Sequence, residues 1–489
     1  MKVKRLIMQS FRGIGDLTLD FDETEPTVLI GINGVGKSSI LDCLSIIFSQ
    51  ITGKIQNSPN SIRSLSEQDI TSGRNEIRIE VITTLDNLQE IPLSINLVKI
   101  KDIQSSSQLQ PALEDFTVDL VEDAAKFIQK SLGQKISNIE YKKLQTIFKS
   151  IVPSLAETIS DSVVRDIAIS NNQYTLQYLR GLQVQSAVDY LRQKLEFDSE
   201  ASINLLVYYP VNRAVIDMPL EISEVCSFNQ VDAYNEALTG GKIDFKIFFD
   251  WFRNREDLEN ERRRDNPDYK DKQLEAVRQA IVSLIPDFSN LRVERSPLRM
   301  TVKKQGEELI VNQLSDGEKC LLAMVGDLAR RLAIANPGLS EPLQGSGVVL
   351  IDEIELHLHP KWQREIIPAL TRTFPNCQFI VTTHSPQVIS HVKPEGIYIL
   401  EKTNEGVIVK RPESSFGRDS NRILEDLMDV PERPQEIKTS LLELFRLIDA
   451  GNLEGARQLR QELAAEIGAD EPEFVRADVL IRRKEILNR

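Results

Sequence analysis

The amino-acid sequence predicts an α/β protein whose core is divided by a mainly helical insertion and followed by a helical C-terminal extension. Short apolar segments of strand length alternate with helical periodicities over residues 1–100 and again over 290–410, a pattern typical of layered α/β folds. Helical periodicity dominates residues 101–289 and returns in residues 411–489. We therefore expect the two outer lobes of the core to meet in space, although the insertion separates them in the chain.

The N-terminal lobe is predicted to begin with a β-hairpin. Residues 2–7 and 17–21 alternate between apolar and polar side chains, and a Gly-Ile-Gly turn at 13–15 joins them. The other predicted elements of this lobe are a β-branched strand at 27–30, a helix at 38–48, and strands at 76–84 and 92–100.

The insertion contains one strand-like segment at 205–213 and a strongly charged segment at 251–279. The charge run has two interpretations, a solvated helix face or a nucleic-acid contact, and the solvated face is the commoner case. The predicted elements of the C-terminal lobe are strands at 291–294, 298–303 and 308–311, a helix at 318–335, a buried strand at 348–351, a helix at 361–374, and strands at 378–382 and 396–400. Two amphipathic helices joined by a turn at 450–452 predict a helical hairpin in the extension.

The composition excludes several classes of protein. A net charge of −14 and a pI near 5.1 argue against a protein that coats nucleic acid, so DNA or RNA binding would have to use local basic patches. The four cysteines are scattered without a CxxC pair, which is typical of reduced thiols. No apolar run approaches the ~20 residues of a membrane span. We therefore expect a cytoplasmic protein without a membrane contact.

The strongest motif is the segment Gly31-Ile-Asn-Gly-Val-Gly36-Lys37-Ser38, which fits GxxxxGK[ST] between a predicted strand and a predicted helix. Glycines allow successive backbone N–H groups to turn toward a phosphate, and the helix N-terminus adds its positive dipole end. In such a loop the Lys37 ammonium reaches the β- and γ-phosphates, and the Ser38 hydroxyl binds Mg²⁺. The motif predicts a site for ATP or a similar nucleotide with Mg²⁺.

Two acidic residues, Asp352 and Glu353, end the buried strand predicted at 348–351. An acid at the carboxyl end of such a strand can hold Mg²⁺ beside the phosphates, and a second acid can deprotonate the attacking water. We therefore assign the metal to Asp352 and the role of catalytic base to Glu353. The alternative is a strand end that carries two solvated acids.

A serine-containing motif, Leu314-Ser315-Asp316-Gly317-Glu318, opens the helix that precedes this strand. Ser315 and Glu318 have the spacing of a capping box, which is a complete structural explanation. The functional interpretation is that the Ser315 hydroxyl and the same helix N-terminus face a γ-phosphate. The position just upstream of the two acids favours the second interpretation.

His384 follows the strand predicted at 378–382, at the sheet edge where open α/β folds bind ligands. It is a candidate to donate a hydrogen bond to the γ-phosphate. His357 and His359 with Glu355 could be mistaken for a metal site. A third ligand in register is missing from the sequence, so we do not expect a metal there.

These motifs, in this order, resemble the ABC-type head ATPases, the SMC, RecF and OLD-like group with a P-loop NTPase core. The resemblance implies a nucleotide sandwich between two heads, in which Ser315 and Gly317 act in trans on ATP bound to the other copy. It also assigns Arg12 to the neighbourhood of the nucleotide and Gln68 to the glutamine loop that reaches Mg²⁺, with Glu67 and Asp69 as alternatives. The nucleotide-binding residues that it implies in cis are Arg12, Asn33, Gly34, Val35, Gly36, Lys37, Ser38 and Ser39.

The rest of the chain resembles the PtuA family, the ATPase subunits of Septu-type anti-phage defence that also occur beside some retrons. The segments that carry this resemblance are 208–213, 250–257, 416–428, 432–434 and the terminal hairpin. The resemblance implies a homodimer or a higher oligomer and an HNH nuclease partner of the PtuB-like kind. This chain has no HNH motif of its own, so any cutting would belong to the partner. The alternative is a RecF/SMC-like DNA repair or recombination ATPase that acts without a nuclease.

Overall fold

The computed structural model describes residues 1–84, 92–103, 164–170, 173–180, 182–213, 229–240, 245–404 and 406–487. The helical periodicity expected between 104 and 163 lies outside the described residues. The chain divides into two compact units, residues 1–417 and 418–489, and the second is called the C-terminal unit below.

The strands and helices follow the predicted order in residues 1–100 and 290–410, whereas 164–180, within the insertion predicted to be mainly helical, form two strands. The strands are β1 (Lys2–Gln9), β2 (Asp16–Asp20), β3 (Thr27–Ile30), β4 (Glu76–Thr84), β5 (Pro92–Ile103), β6 (Val164–Ser170), β7 (Gln173–Arg180), β8 (Leu205–Tyr209), β9 (Phe288–Arg295), β10 (Leu298–Lys304), β11 (Glu307–Ile310), β12 (Gly347–Ile351), β13 (Cys377–Thr382), β14 (Ile397–Thr403) and β15 (Gly406–Lys410). The helices are α1 (Lys37–Ile55), α2 (Leu182–Phe197), α3 (Phe245–Arg262), α4 (Lys272–Leu284), α5 (Asp316–Ala335), α6 (Pro360–Thr373), α7 (Pro386–Ile389), α8 (Ser420–Met428), α9 (Gln435–Asp449), α10 (Leu453–Ile467) and α11 (Pro472–Leu487).

An antiparallel sheet with the order β2-β1-β4-β5-β7-β6 contains the predicted hairpin. The strands β1 and β2 pair antiparallel, and buried residues alternate with exposed ones along β2. This alternation is expected of a sheet with one face on the core and one in water. A second, three-stranded sheet, β11-β10-β9, matches the three strands predicted near residue 300.

The core sheet has the order β15-β14-β3-β13-β12-β8, and all its pairs are parallel except β14 with β15. Every residue of β3, β8 and β12 is buried, as expected for parallel strands covered on both faces. The predicted α/β class is therefore confirmed. β8 belongs to this sheet although it comes from residues 101–289, for which the sequence predicts a mainly helical insertion.

The strand order decides where the functional loops meet. β3, β13 and β12 are neighbours and run parallel, so the loops that follow them lie side by side at one edge of the sheet. These loops carry the glycine-rich motif, His384 and the Asp352-Glu353 pair.

The solvated face predicted at 251–279 is confirmed for the middle of the charge run, where Glu261, Arg262 and Arg264 are exposed, and is wrong for Glu256 and Glu259 of α3. Glu259 is fully buried and Glu256 is 6% exposed, and both accept hydrogen bonds from Arg278. Arg263 of the same run forms an ion pair with Glu259, and Arg255 forms one with Asp271. The charges between Arg253 and Glu259 are therefore partnered near the junction of α3 with α4 and β9, because the aromatic face of this part of α3 is buried.

The C-terminal unit contains the predicted hairpin, which α9 and α10 form, and a further helix, α11. The buried side chains of the three helices form one apolar cluster: Leu441, Leu444, Ile448, Ala456, Leu463, Phe474, Ala477 and Ile481. The hairpin alone therefore has no closed core, and α11 completes it. In the part of the chain that the structure describes, no helix combines the length and the apolar character that crossing a bilayer requires.

Candidate nucleotide site

The glycine-rich loop joins β3 to α1 in a conformation that requires glycine at two of its positions. Gly34 has φ +77°, in the region that L side chains rarely adopt. At Gly31 a Cβ would lie 2.5 Å from the carbonyl oxygen of Leu400 in the neighbouring strand β14. Asn33 is exposed in this loop, Val35 is buried beneath it, and Ser39 is half-buried in the first turn of α1. The loop thus presents an open backbone before a helix N-terminus, which is the arrangement that binds phosphate.

Lys37 folds over this loop. Its ammonium donates hydrogen bonds to the carbonyl oxygens of Gly31 (2.8 Å) and Ile32 (3.1 Å). Burial lowers the pKa of Lys37, and the nearby carboxylates of Asp352, Glu353 and Glu355 act in the opposite direction. The ammonium is therefore held by weak neutral acceptors at the place where an anionic phosphate would bind it more strongly.

Ser38 and Asp352 meet across the site from segments 314 residues apart. The Ser38 hydroxyl lies 3.0 Å from Asp352 Oδ1, and the Thr382 hydroxyl donates to the same oxygen at 2.6 Å. Asp352 itself is 3% exposed. A hydroxyl and a carboxylate oxygen are the donors that Mg²⁺ prefers, so these two residues fit the predicted metal position.

Glu353 has a left-handed backbone, with φ +45°. This conformation costs about 1–2 kcal/mol for a residue with a Cβ, so the surroundings must enforce it. The Glu353 N–H donates to the Thr382 hydroxyl at 2.8 Å, and its carbonyl accepts a hydrogen bond from Arg213 at 2.5 Å. The strained residue therefore stands next to the candidate metal ligand, at the position of the predicted base.

Glu355 organises the loop that carries His384. Its carboxylate accepts hydrogen bonds from the Thr383 hydroxyl (2.7 Å) and from the backbone N–H of His384 (2.5 Å). Burial and then the positive charge of Lys37 lower the pKa of His384, which favours the neutral form of its ring. A neutral imidazole beside Lys37 can donate one hydrogen bond to a phosphate oxygen, as the sequence predicts.

The two histidines after Glu355, His357 and His359, are both exposed. His359 is the N-cap of α6, where its Nδ1 accepts from the N–H of Lys361 at 3.2 Å. Among the described residues, no group of three or more His, Cys, Asp or Glu side chains is arranged to hold a metal ion.

Ser315 caps α5 in this single copy of the chain. Its N–H and hydroxyl both donate to Glu318 Oε2, at 3.0 and 2.8 Å, and Lys304 forms an ion pair with the same carboxylate. Ser315 nevertheless remains exposed. The capping box and the exposure coexist, so the structural role leaves the hydroxyl accessible.

Gly317, next to this serine, contacts the loop that follows Glu353. A Cβ at Gly317 would lie 2.2 Å from the carbonyl oxygen of His357. His357 has φ +62°, so the loop is already in a constrained conformation and cannot easily withdraw.

Replacing Gly317 with alanine should therefore destabilise the protein. We expect the melting temperature to fall by several degrees, corresponding to about 1–3 kcal/mol for overpacking a backbone contact. The control is Asp316→Ala, because the side chain of Asp316 is 88% exposed. Equal melting temperatures for the two variants in a calorimetric scan would contradict the contact.

Arg12 is held by ion pairs, whereas Gln68 lies exposed at the surface. Arg12 forms ion pairs with Asp42 of α1 (2.6 Å) and with Asp69 (2.7 Å), whereas Gln68 is exposed in a short turn. Asp69, one of the alternatives to Gln68, is buried, and its second oxygen accepts from the Ser66 N–H and hydroxyl. The structure thus links Arg12 to the first helix after the nucleotide loop, and the roles of Arg12 and Gln68 at the nucleotide stay predictions.

Arg213 is the site residue for which sequence reasoning assigned no role. It is 3% exposed and lies against the backbone of Asp352 and Glu353. The sequence predicts a strand-like segment at 205–213, and the family resemblance includes 208–213, but neither assigns a role to Arg213. The available signal was an apolar strand, 205–209, followed by a proline and then a lone cation.

Comparison with known proteins shows the family of this chain. The model of the AAA ATPase domain family matches residues 1–389. A relative from Escherichia coli named "Retron Ec83 probable ATPase" is 29% identical over 99% of this chain and 87% of its own length. "Septu protein PtuA" from Bacillus thuringiensis is 23% identical over 92% of this chain and 90% of its own length. A solved structure of an SMC head bound to the C-winged helix domain of ScpA covers 84% of this chain and 98% of that chain, at 14% identity and a TM-score of 0.43.

These relatives confirm the resemblance to the retron-associated and Septu ATPases. The family match spans the loop with Lys37, the helix opened by Ser315, and the acids that follow β12. The chain is an ATPase, and it belongs to the AAA ATPase domain family.

Proposed function

We propose that this chain is the ATP-binding and ATP-hydrolysing subunit of a cytoplasmic anti-phage defence complex, and that ATP-dependent dimerisation controls an HNH nuclease partner. The observation that carries the ATPase chemistry is the contact between Ser38 and Asp352, with Glu353 beside it. The defence role is supported by the relatives, which are named as a retron ATPase and a Septu protein and which align over most of their length.

In the proposed reaction, Lys37 leaves the carbonyls of Gly31 and Ile32 and binds the β- and γ-phosphates of ATP. Ser38 and Asp352 would hold Mg²⁺, which would neutralise charge on the phosphates. Glu353 accepts a proton from the attacking water. His384 donates a hydrogen bond to the γ-phosphate, and its neutral ring suits this role.

The proposed dimer rests on Ser315. A hydroxyl at the N-terminus of a 20-residue helix lies where the helix dipole favours an anion, and it is exposed in the single chain. We propose that Ser315 and Gly317 of one copy face the γ-phosphate bound by the other copy. The same arrangement would make hydrolysis depend on dimer formation.

We further propose that the C-terminal unit binds the nuclease partner. Its helix α11 carries Val475 and Val479, which are 66% and 60% exposed and lie one turn apart on one face, with Ile486 exposed further along. Deleting residues after Gly451 would remove α10 and α11 and open the apolar cluster of the unit, so substitutions on this exposed face are the sharper test.

The double substitution Val475→Glu/Val479→Glu should reduce recovery of the HNH protein encoded beside this chain at least about tenfold in co-purification, because two charges would enter an apolar contact. ATP hydrolysis by the isolated chain should remain unchanged.

The matched control is Gln461→Glu/Ala465→Glu, which adds two acids with the same spacing at exposed positions of α10. Full recovery of the nuclease with the Val475/Val479 variant would contradict docking at this surface. If the unaltered chain recovers no HNH protein at all, the RecF/SMC-like repair ATPase becomes the better account.

A further inference from the structure

Arg213 lies between two strands of the core sheet at the edge where the nucleotide site forms. β8 pairs with β12 in parallel, and the Asp352 N–H continues this pairing by donating to the Tyr209 carbonyl at 2.9 Å. The chain then leaves the sheet at Pro210 and returns the Arg213 side chain toward the same backbone.

The guanidinium of Arg213 binds two successive carbonyl groups. One Nη donates to the Asp352 carbonyl and, at 3.2 Å, to that of Pro210, and the other donates to the Glu353 carbonyl at 2.5 Å. These carbonyls lie beyond the end of β12, where strand pairing stops, and the Glu353 carbonyl also accepts from the Leu356 N–H at 2.9 Å. A planar guanidinium can satisfy both at once, whereas a single ammonium has no such fork.

Thr382 holds the opposite ends of the same two peptide units. Its hydroxyl accepts from the Glu353 N–H at 2.8 Å, and its carbonyl accepts from the Ile354 N–H at 3.0 Å. Each peptide unit that flanks the Glu353 Cα is therefore held by Arg213 at its oxygen and by Thr382 at its nitrogen. Together these contacts account for the left-handed φ of +45° at Glu353.

We propose that Arg213 is a positioning residue for ATP hydrolysis, which fixes the backbone of Glu353 so that its carboxylate is directed at the attacking water. This inference rests on the proposed role of Glu353 as the base. It adds a residue from the segment that follows β8, 140 positions away in the chain, to the machinery of the reaction.

The cation also faces the acids of the site. Asp352, Glu355 and Glu353 all interact electrostatically with Arg213, whose pKa is lowered by burial. A positive charge behind three carboxylates reduces their mutual repulsion before a metal binds. Loss of Arg213 would therefore free the backbone of Glu353 and would also increase the repulsion among the three carboxylates.

The test uses the full-length chain with Arg213→Met and Arg213→Lys. For Arg213→Met we expect kcat to fall about a hundredfold while KM and the affinity for a fluorescent ATP analogue change less than about threefold, because displacement of a catalytic group affects the reaction more than binding. Arg213→Lys keeps the charge but has a single donor nitrogen in place of the guanidinium fork. We therefore expect its kcat to be about tenfold higher than that of Arg213→Met.

Arg331→Lys is the matched control. Arg331 is also buried and also donates to two backbone carbonyls, those of Ala233 and Asn235, both at 2.8 Å. We expect Arg331→Lys to lower the melting temperature. At temperatures below its unfolding transition, its kcat should equal that of the unaltered chain. A merely structural role of Arg213 would give the same result for Arg213→Lys, and that result would overturn the proposal.

Single-turnover rates in the Glu353→Gln background separate this inference from the proposed function. If Arg213 acts through Glu353, adding Arg213→Lys to Glu353→Gln causes little further loss, whereas an independent effect of full size would contradict the proposal. Normal hydrolysis by Glu353→Gln alone would instead remove the proposed base, whatever the Arg213 variants show.

Discussion

Glu353→Gln should abolish ATP turnover while leaving ATP bound. Glutamine has nearly the same shape as glutamate, so the contacts of the Glu353 backbone with Thr382 and Arg213 can persist. An amide cannot accept the proton of the attacking water. We expect kcat to fall by about 10²–10⁴-fold, the usual contribution of a general base.

The same variant should accumulate as an ATP-bound dimer, because the two copies can no longer separate after hydrolysis of the ATP between them. Native mass measurement with Mg²⁺ and ATP should show a species of twice 55.4 kDa, plus bound nucleotide. Glu401→Gln is the control, since the side chain of Glu401 is 44% exposed and pairs with Lys410 on the neighbouring strand. Hydrolysis by Glu353→Gln at the unaltered rate would show that another group is the base.

Mixing two inactive variants should restore activity if Ser315 acts in trans. Lys37→Ala removes the phosphate-binding ammonium, and Ser315→Arg places a bulky cation where the other copy must approach. Each variant alone should be at least about a hundredfold less active than the unaltered chain, in line with losing a group that stabilises the transition state.

In a mixed dimer, the nucleotide loop of the Ser315→Arg copy meets the intact Ser315 of the Lys37→Ala copy. One of its two sites is then complete. Random pairing makes half of the dimers mixed, so an equimolar mixture should recover up to about a quarter of the normal activity.

The mixing experiment has its own control. Combining Lys37→Ala with Glu353→Gln places both defects on the nucleotide-binding side, so each mixed dimer has one defect in each site and activity should not return. If the Lys37→Ala and Ser315→Arg mixture also stays inactive while both variants still form dimers, the assignment of Ser315 to the partner's nucleotide is wrong.

Much of the candidate site was predictable because its functional residues lie in short contiguous segments of the chain. The glycine spacing before Lys37 specifies a loop conformation that side chains would block, as Gly34 and Gly31 demonstrate. The apolar run before Asp352 predicts a buried parallel strand, and β12 is buried at every residue. The capping relation between Ser315 and Glu318 is also local, and it is present as predicted.

Other predictions were incomplete because charge patterns do not reveal their partners. The run of charged residues in α3 predicts a solvated helix face. Glu256 and Glu259 are nevertheless buried and accept hydrogen bonds from Arg278 of α4. The amphipathic helices α9 and α10 predict a hairpin, but the apolar cluster also needs Phe474 and Ile481 of α11. In both places the missing information was which element covers which face.

The sequence by itself determined the nucleotide loop, the pair of acids after β12, the class of the fold and the order of the elements in its two outer lobes. These depend on backbone geometry and periodicity within a few residues, which local side chains dictate. Only the tertiary structure decided that β8 pairs with β12, and therefore that Arg213 reaches the backbone of Glu353. Strand order depends on the free energy of packing the whole sheet, and the pattern of any single strand does not contain it.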